Sequence, residues 1–191
     1  METAIEWTPK ARAVLRAAGE LFYAQGIHAV GVDTIAERAG VTKKTLYDRF
    51  GSKERLVVEY LLDRDQRWRA FLAGRLDATD DDPAARLATV FDASAAWAVE
   101  NSGKGCAMIN AHAEISDPNH PAYPVIVGQK RWMIELFAGL ASAADVPDPR
   151  GTAGAIMLLH EGALVTAGMH AIDDAWPRAR DLAVDLLRRA A

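Results

Sequence analysis

Apolar residues recur at helical spacing along almost the whole chain, and no stretch alternates apolar and polar side chains between turns, so the predicted fold is all-α. In the first element Ala11, Val14, Leu15, Ala18, Leu21 and Phe22 share a face; Thr8 caps its start, Pro9 takes the first helical position, and Gly26 stops it. A short helix is expected from Val32 to Ala39, with Gly31 as its N-cap, ended by Gly40. Thr42 caps a third through Phe50, closed by Gly51, and Ser52 caps a fourth from Lys53 to about Leu76. After the acidic break at 77–82, Pro83 opens a helix carrying Leu87, Val90, Phe91, Ser94, Trp97 and Ala98 on one face, stopped by Gly103-Lys104-Gly105. A short helical piece from Cys106 to Ile115 follows, then a long helix over 122–144, an apolar one over 151–172, and a last one from Pro177 with Leu182, Leu186 and Leu187 as its stripe. That makes about nine helices.

The 151–172 segment has nearly the length and apolarity to span a bilayer, but His160, Glu161 and His170 interrupt it and no basic cluster flanks it, so it reads as a soluble helix. Apolar on most faces, it needs cover on more than one side. Small residues at Gly154, Ala155, Gly162, Ala163, Ala167 and Gly168 permit close helix approach. A two-fold interface through 151–172 and 177–190 is the economical way to bury this surface.

Composition adds bounds. The chain has 191 residues, half of them apolar and 25% charged, which suits one compact domain or two small ones and excludes disordered or collagen-like classes. One cysteine, Cys106, allows neither an intrachain disulfide nor a cysteine-based zinc site, as expected of a cytoplasmic protein. Glu2, Glu6 and Pro9 break the pattern of a signal peptide. The net charge of −4 argues against broad nucleic-acid binding, until the chain is divided. Residues 1–60 carry nine basic and eight acidic side chains, whereas 61–191 carry thirteen and eighteen.

The basic excess concentrates where two short helices meet at Gly40-Val41-Thr42, a three- to four-residue turn with Gly that marks a helix-turn-helix. Ile35, Ala36, Ala39, Val41, Leu46 and Phe50 form the apolar set that pins the helices together. Lys43, Lys44, Thr45, Tyr47, Asp48 and Arg49 occupy the other face of the third helix. Lys43, Lys44 and Lys53 stand in the first turns of helices, where the dipole disfavours a cation by roughly 0.3–1 kcal/mol. A DNA phosphate shared with the terminal N–H groups would reverse that sign.

The run from Ile35 to Glu54, with the preceding Ala-Ala-x-x-Leu-Phe-x-x-x-Gly ending at Gly26, resembles the DNA-binding domain of the TetR family of transcriptional regulators, of AcrR-like type. The resemblance covers about 8–68, with the helix-turn-helix at 31–50, and implies a three-helix DNA-binding domain followed by a helical ligand-binding and dimerisation domain over 77–191. It makes Thr42, Lys43 and Lys44 the start of the recognition helix, Tyr47 and Arg49 backbone or base-edge contacts, and Lys53 a phosphate clamp, with Thr45 also among the DNA-binding residues. Asp48 either faces away from the phosphates or accepts a hydrogen bond from a cytosine amine. Arg55 stands where the family commonly has Glu, so Ser52 caps without a capping box.

The resemblance also implies an effector chamber, which needs apolar walls with a few polar groups. Trp97, Met108, Asn110, His112, Trp132, Met133, Phe137 and His160 are the expected ligand-binding residues, Asn110 and His112 because an amide and an imidazole buried among Ala, Met and Ile require partners. The fourth helix, with Trp68, Phe71 and Leu72 near the chamber, is the expected lever. The five histidines make no His-x-x-x-His, adjacent His160 and Glu161 are expected to point apart, and no nucleophile-elbow, phosphate-loop or dinucleotide motif occurs. Neither enzymatic activity nor a metal or cofactor is expected. The function implied is a homodimeric repressor that binds a near-palindromic operator on double-stranded DNA and is released by a small apolar or amphipathic effector. The alternatives are an activator or ligand-free regulator of the same fold, and a protein-interaction sensor module.

Overall fold

A computed structural model describes residues 5–101 and 104–190; Glu2, Gly103 and the final residue of the C-terminal span lie outside the described residues. Among the described residues there are nine helices and no strand: α1 Pro9–Gln25, α2 Val32–Arg38, α3 Lys43–Phe50, α4 Lys53–Leu76, α5 Pro83–Asn101, α6 Ala107–Glu114, α7 Tyr123–Ala143, α8 Pro149–Gly168 and α9 Ala175–Ala190. The all-α fold and the helix count agree with the sequence reading.

The chain divides into two compact units that do not follow chain order. The first holds the residues up to Asp65 together with Ala107–Val127, and the second holds Gln66–Cys106 with the residues from Gly128 on. The dividing points fall inside α4 and α7, and α6 belongs with the N-terminal helices.

In the first unit Ala11, Val14, Ala18 and Phe22 of α1, Ile35 and Ala36 of α2, Leu46 and Phe50 of α3, and Leu56, Val57 and Tyr60 of α4 form the buried core. The Phe22 and Tyr60 rings lie 5.8 Å apart. Thr8 caps α1 by accepting the Ala11 N–H at 3.2 Å, and Gly26 ends it at φ +96°, a conformation that glycine adopts without strain. The second unit packs Leu72, Leu87, Phe91, Met133, Phe137, Ile156 and Leu187 of five helices into one core, the Phe91 and Phe137 rings stacking at 6.3 Å.

Two boundaries differ from expectation. The apolar helix runs from Pro149 to Gly168 rather than over 151–172: Asp148 caps it by accepting the Gly151 N–H at 3.0 Å, and Pro149 fits the first turn, where an N–H has no partner to lose. His170 turns into the left-handed region at φ +53°, which ends the helix before Ile172. The last helix begins at Ala175, with Pro177 tolerated in its first turn. Among the described residues no helix is long and apolar enough to cross a membrane.

Candidate nucleic-acid interface

The helix-turn-helix is built from three local devices. Gly40, at φ +64°, makes the turn after α2. Thr42 caps α3, its Oγ1 accepting the Thr45 N–H at 3.1 Å and lying 2.9 Å from Thr45 Oγ1. Gly51, at φ +74°, ends α3 so that Ser52 can cap α4 by accepting the Arg55 N–H at 3.0 Å. Leu46 and Phe50, four apart, turn into the core and fix which face of α3 is left outward.

That outward face carries the residues expected of it. Thr42, Lys43, Lys44 and Asp48 are exposed, Tyr47 is 40% exposed, and Thr45 and Arg49 are half-buried at its edge. Lys53 stands in the first turn of α4 with its ammonium 6.0 Å from the Phe22 ring centroid. The face is therefore a set of donors presented from two helix starts, suited to phosphate oxygens and base edges in a major groove.

Its cations are not left bare. Lys43 Nζ donates to Asp33 Oδ2 of α2 at 2.9 Å, and this hydrogen bond and charge raise the lysine above its ordinary pKa. Lys44 pairs with Asp48 one turn on at 3.5 Å, so Asp48 faces a lysine of its own helix. Arg49 donates to Glu6, whose neighbour Trp7 sets its ring 6.2 Å from that of Phe50 and lies under the Arg12 guanidinium. Neither Glu6 nor Asp33 announces this role in the sequence: Glu6 precedes the first helix, and Asp33 reads as an ordinary first-turn acid.

The same unit contains one long-range polar clamp. Glu114, the last residue of α6, accepts the N–H groups of Ile27 at 2.8 Å and His28 at 2.6 Å just past the end of α1, and lies 3.1 Å from His28 Nδ1. Burial works against its charge, but the His28 and Ile27 N–H groups and the His28 ring outweigh burial and hold the carboxyl below its ordinary pKa. Gly26 leaves room for it, since a Cβ there would come within 3.2 Å of Glu114 Oε1.

The expected effector residues are divided between the two units. Met108, Asn110 and His112 lie on α6 in the first unit; Met108 is buried, but Asn110 and His112 are exposed, so the premise that they are buried and need a ligand to satisfy them fails. Trp97, Trp132, Met133, Phe137 and His160 belong to the second unit. There Trp97 joins Trp68 and Phe71 in an aromatic group with centroids 5.3–6.3 Å apart. The Arg69 guanidinium lies over Trp132, and Met133 and Phe137 are plain core.

His160 is 5% exposed and ringed by Phe91, Phe137 and Trp176. Its Nε2 is 2.8 Å from Ser94 Oγ and its Nδ1 is 3.3 Å from Glu161 Oε1, so the adjacent side chains meet rather than point apart. The Ser94 hydroxyl donates its one proton to the Val90 carbonyl at 2.8 Å, so toward His160 Nε2 it stands as an acceptor. Burial lowers the His160 pKa despite the Glu161 carboxylate. Both oxygens of Glu161 also accept from Lys130 Nζ at 2.9 Å, and that ammonium lies 3.4 Å from Cys106 Sγ. Among the described residues no group of three or more His, Cys, Asp or Glu is arranged to hold a metal ion.

Comparison with known proteins agrees with this geometry. The family model of bacterial regulatory proteins of the tetR family matches residues 14–60. A TetR-family transcriptional regulator from Streptomyces coelicolor superposes with a TM-score of 0.88 at 26% identity, covering 98% of this chain and 99% of that one. A protein from Streptomyces avermitilis classed among TetR transcriptional regulators superposes at 0.81 with 29% identity, over 96% and 98% of the two chains. The transcriptional activator FasR of Mycolicibacterium smegmatis is 50% identical over 48 residues, which span 25% of this chain and 22% of FasR.

Proposed function

Because the chain belongs to the TetR family of bacterial regulatory proteins, which are DNA-binding and not enzymes, we propose that it is a cytoplasmic, homodimeric, ligand-responsive transcriptional repressor. Residues 8–68 form its DNA-binding domain and 77–191 its effector-binding and dimerisation domain. The observation that carries the reading is the outward face of α3: Leu46 and Phe50 are locked inward while Thr42, Lys43, Lys44 and Tyr47 stand out beside Lys53. On the duplex, Lys43, Lys44, Arg49 and Lys53 meet phosphates, and Thr42, Thr45 and Tyr47 approach base edges and sugar.

The dimer forms through α8 and α9. Leu158 and Val165, seven apart, share an outward face of α8 that Met169 extends just past the helix end, with Leu158 77% and Met169 72% exposed, and Leu182 of α9 is half exposed. Isolated exposed leucines are ordinary, but a stripe continued over successive turns calls for a partner, and a second copy supplies the same stripe. Two recognition helices then address successive major grooves roughly 34–36 Å apart.

The effector is a small apolar or amphipathic molecule bound in the C-terminal domain, whose aromatic group of Trp68, Phe71 and Trp97 gives it a suitable wall. It releases DNA by preferring an arrangement of the helices that the operator complex disfavours, and shifts the equilibrium by no more than its differential affinity for the two.

Titration of duplex DNA from the chain's own upstream region tests the reading: Lys43→Ala and Tyr47→Ala each weaken binding about tenfold or more. Unchanged binding in both refutes the assignment of α3. The likeness to FasR, over the DNA-binding segment alone, favours the second reading of an activator. A reporter fused to the bound promoter decides between them, since deleting the regulator raises expression if it represses and lowers it if it activates.

A further inference from the structure

Three cations of the DNA face, Arg49, Lys43 and Lys44, are matched by carboxylates from three different places in the chain: Glu6 from the segment before α1, Asp33 from the first turn of α2, and Asp48 from α3 itself. This exceeds what folding asks of a surface. Exposed ion pairs contribute little stability, and Glu6 lies outside any helix, so neither a dipole nor a cap accounts for it. Asp33 does suit the start of α2, yet it is 75% exposed in its side chain and aims its Oδ2 at the one lysine that opens the recognition helix.

The electrostatic consequence follows from the charges themselves. Lys43, Lys44, Arg49 and Lys53 bring four positive charges to the face, and Glu6, Asp33 and Asp48 return three negative ones. Sequence-blind attraction to duplex DNA comes almost entirely from phosphates neutralised by such cations, with release of the counterions that had screened them. A cation already held by a carboxylate must exchange that partner for a phosphate, and the carboxylate is then left beside a polyanion.

We infer that Glu6 and Asp33 are positioning residues of the DNA face, internal competitors that a phosphate must displace from Arg49 and Lys43, and that they thereby restrain binding driven by phosphates alone. Contacts to base edges do not face this competition, because a base edge is not displaced by a carboxylate held on a lysine. The inference rests on the reading that this face meets DNA.

Fluorescence anisotropy with a labelled random-sequence duplex, repeated over a series of KCl concentrations, tests it on the full chain. Glu6→Gln and Asp33→Asn each raise affinity about twofold to fivefold at low salt, the range that exposed pairs span. Each also steepens the plot of log affinity against log salt by about 0.9 per protomer for each further phosphate that the freed cation neutralises. Glu135→Gln makes the same charge change on α7 in the second unit and leaves affinity and slope as in the parent. The melting temperature of Glu6→Gln stays within error of the parent, so its effect is not one of folding. If the parent binds duplex DNA and neither Glu6→Gln nor Asp33→Asn changes affinity or slope, the inference is wrong. It is equally wrong if Glu135→Gln acts as strongly as they do, because net charge alone would then explain the result. A parent that binds no duplex at the lowest salt overturns the DNA reading itself, and the inference with it.

Discussion

Two acid-base arrangements, His160 in the core and the half-buried Glu114, both lose stability as the pH falls. Burial lowers the His160 pKa, so below the ordinary value of 6.5 the unfolded chain takes up a proton more readily than the folded chain does. Its contribution to stability is complete above that value and declines as the pH falls below it. Urea unfolding at about pH 7.5 and pH 5.5 therefore gives a lower midpoint at the acid end, and His160→Asn, though less stable throughout, shows a smaller difference. Glu114 has its pKa lowered, so its contribution stands above the ordinary 4.5 and is lost as the pH falls through the folded value. Replacing it by Ala removes two charge-assisted bonds at the end of α1 and costs about 2 kcal/mol; Glu114→Gln keeps the bulk and loses the acid dependence, both read from denaturation curves. Glu114 was illegible in the sequence for a physical reason: its partners are the backbone N–H groups of Ile27 and His28, which leave no trace in side-chain identity. His160 was noticed, but the contact with its neighbour Glu161 depends on rotamers that helical spacing does not determine.

Helices were legible where their ends carry chemistry. Thr8 with Pro9, Thr42 and Ser52 are caps readable from residue type, and the helices they open begin where expected. The end of α8 was not readable, because Met169, His170 and Ile172 continue the apolar pattern while the backbone turns at His170. The exposure of Asn110 and His112 was equally hidden: α6 has two helical turns, and a weakly amphipathic sequence does not say which side faces the core. The start of α3 depends on Thr42. Thr42→Ala leaves the Thr45 N–H without its acceptor, lowers stability by about 1 kcal/mol, and frays the first turn that carries Lys43 and Lys44. Calorimetry gives the first effect. Operator titration gives the second, as a loss of affinity larger than the stability change alone produces.

For the whole molecule, the overall charge of −4 conceals an N-terminal third that is slightly basic and a remainder that is acidic. DNA feels charge over a screening length of about 8–10 Å, so the local balance on α3 matters and the average does not. Dimerisation is the other whole-molecule property, and the outward stripe of α8 makes it testable. Leu158→Arg places a charge on each side of a two-fold contact, so sedimentation should find a monomer, and operator affinity should fall at least as far as the loss of one half-site requires. The central claim is that a symmetric pair of these chains reads DNA sequence through α3. Its most direct test is selection of bound duplexes from a random pool by the full-length protein. A symmetric reader enriches a two-fold symmetric sequence whose half-sites lie about one helical turn of 10–10.5 base pairs apart or slightly more, and Tyr47→Ala loses that enrichment. Enrichment of an asymmetric sequence, or none above the starting pool, would contradict the claim.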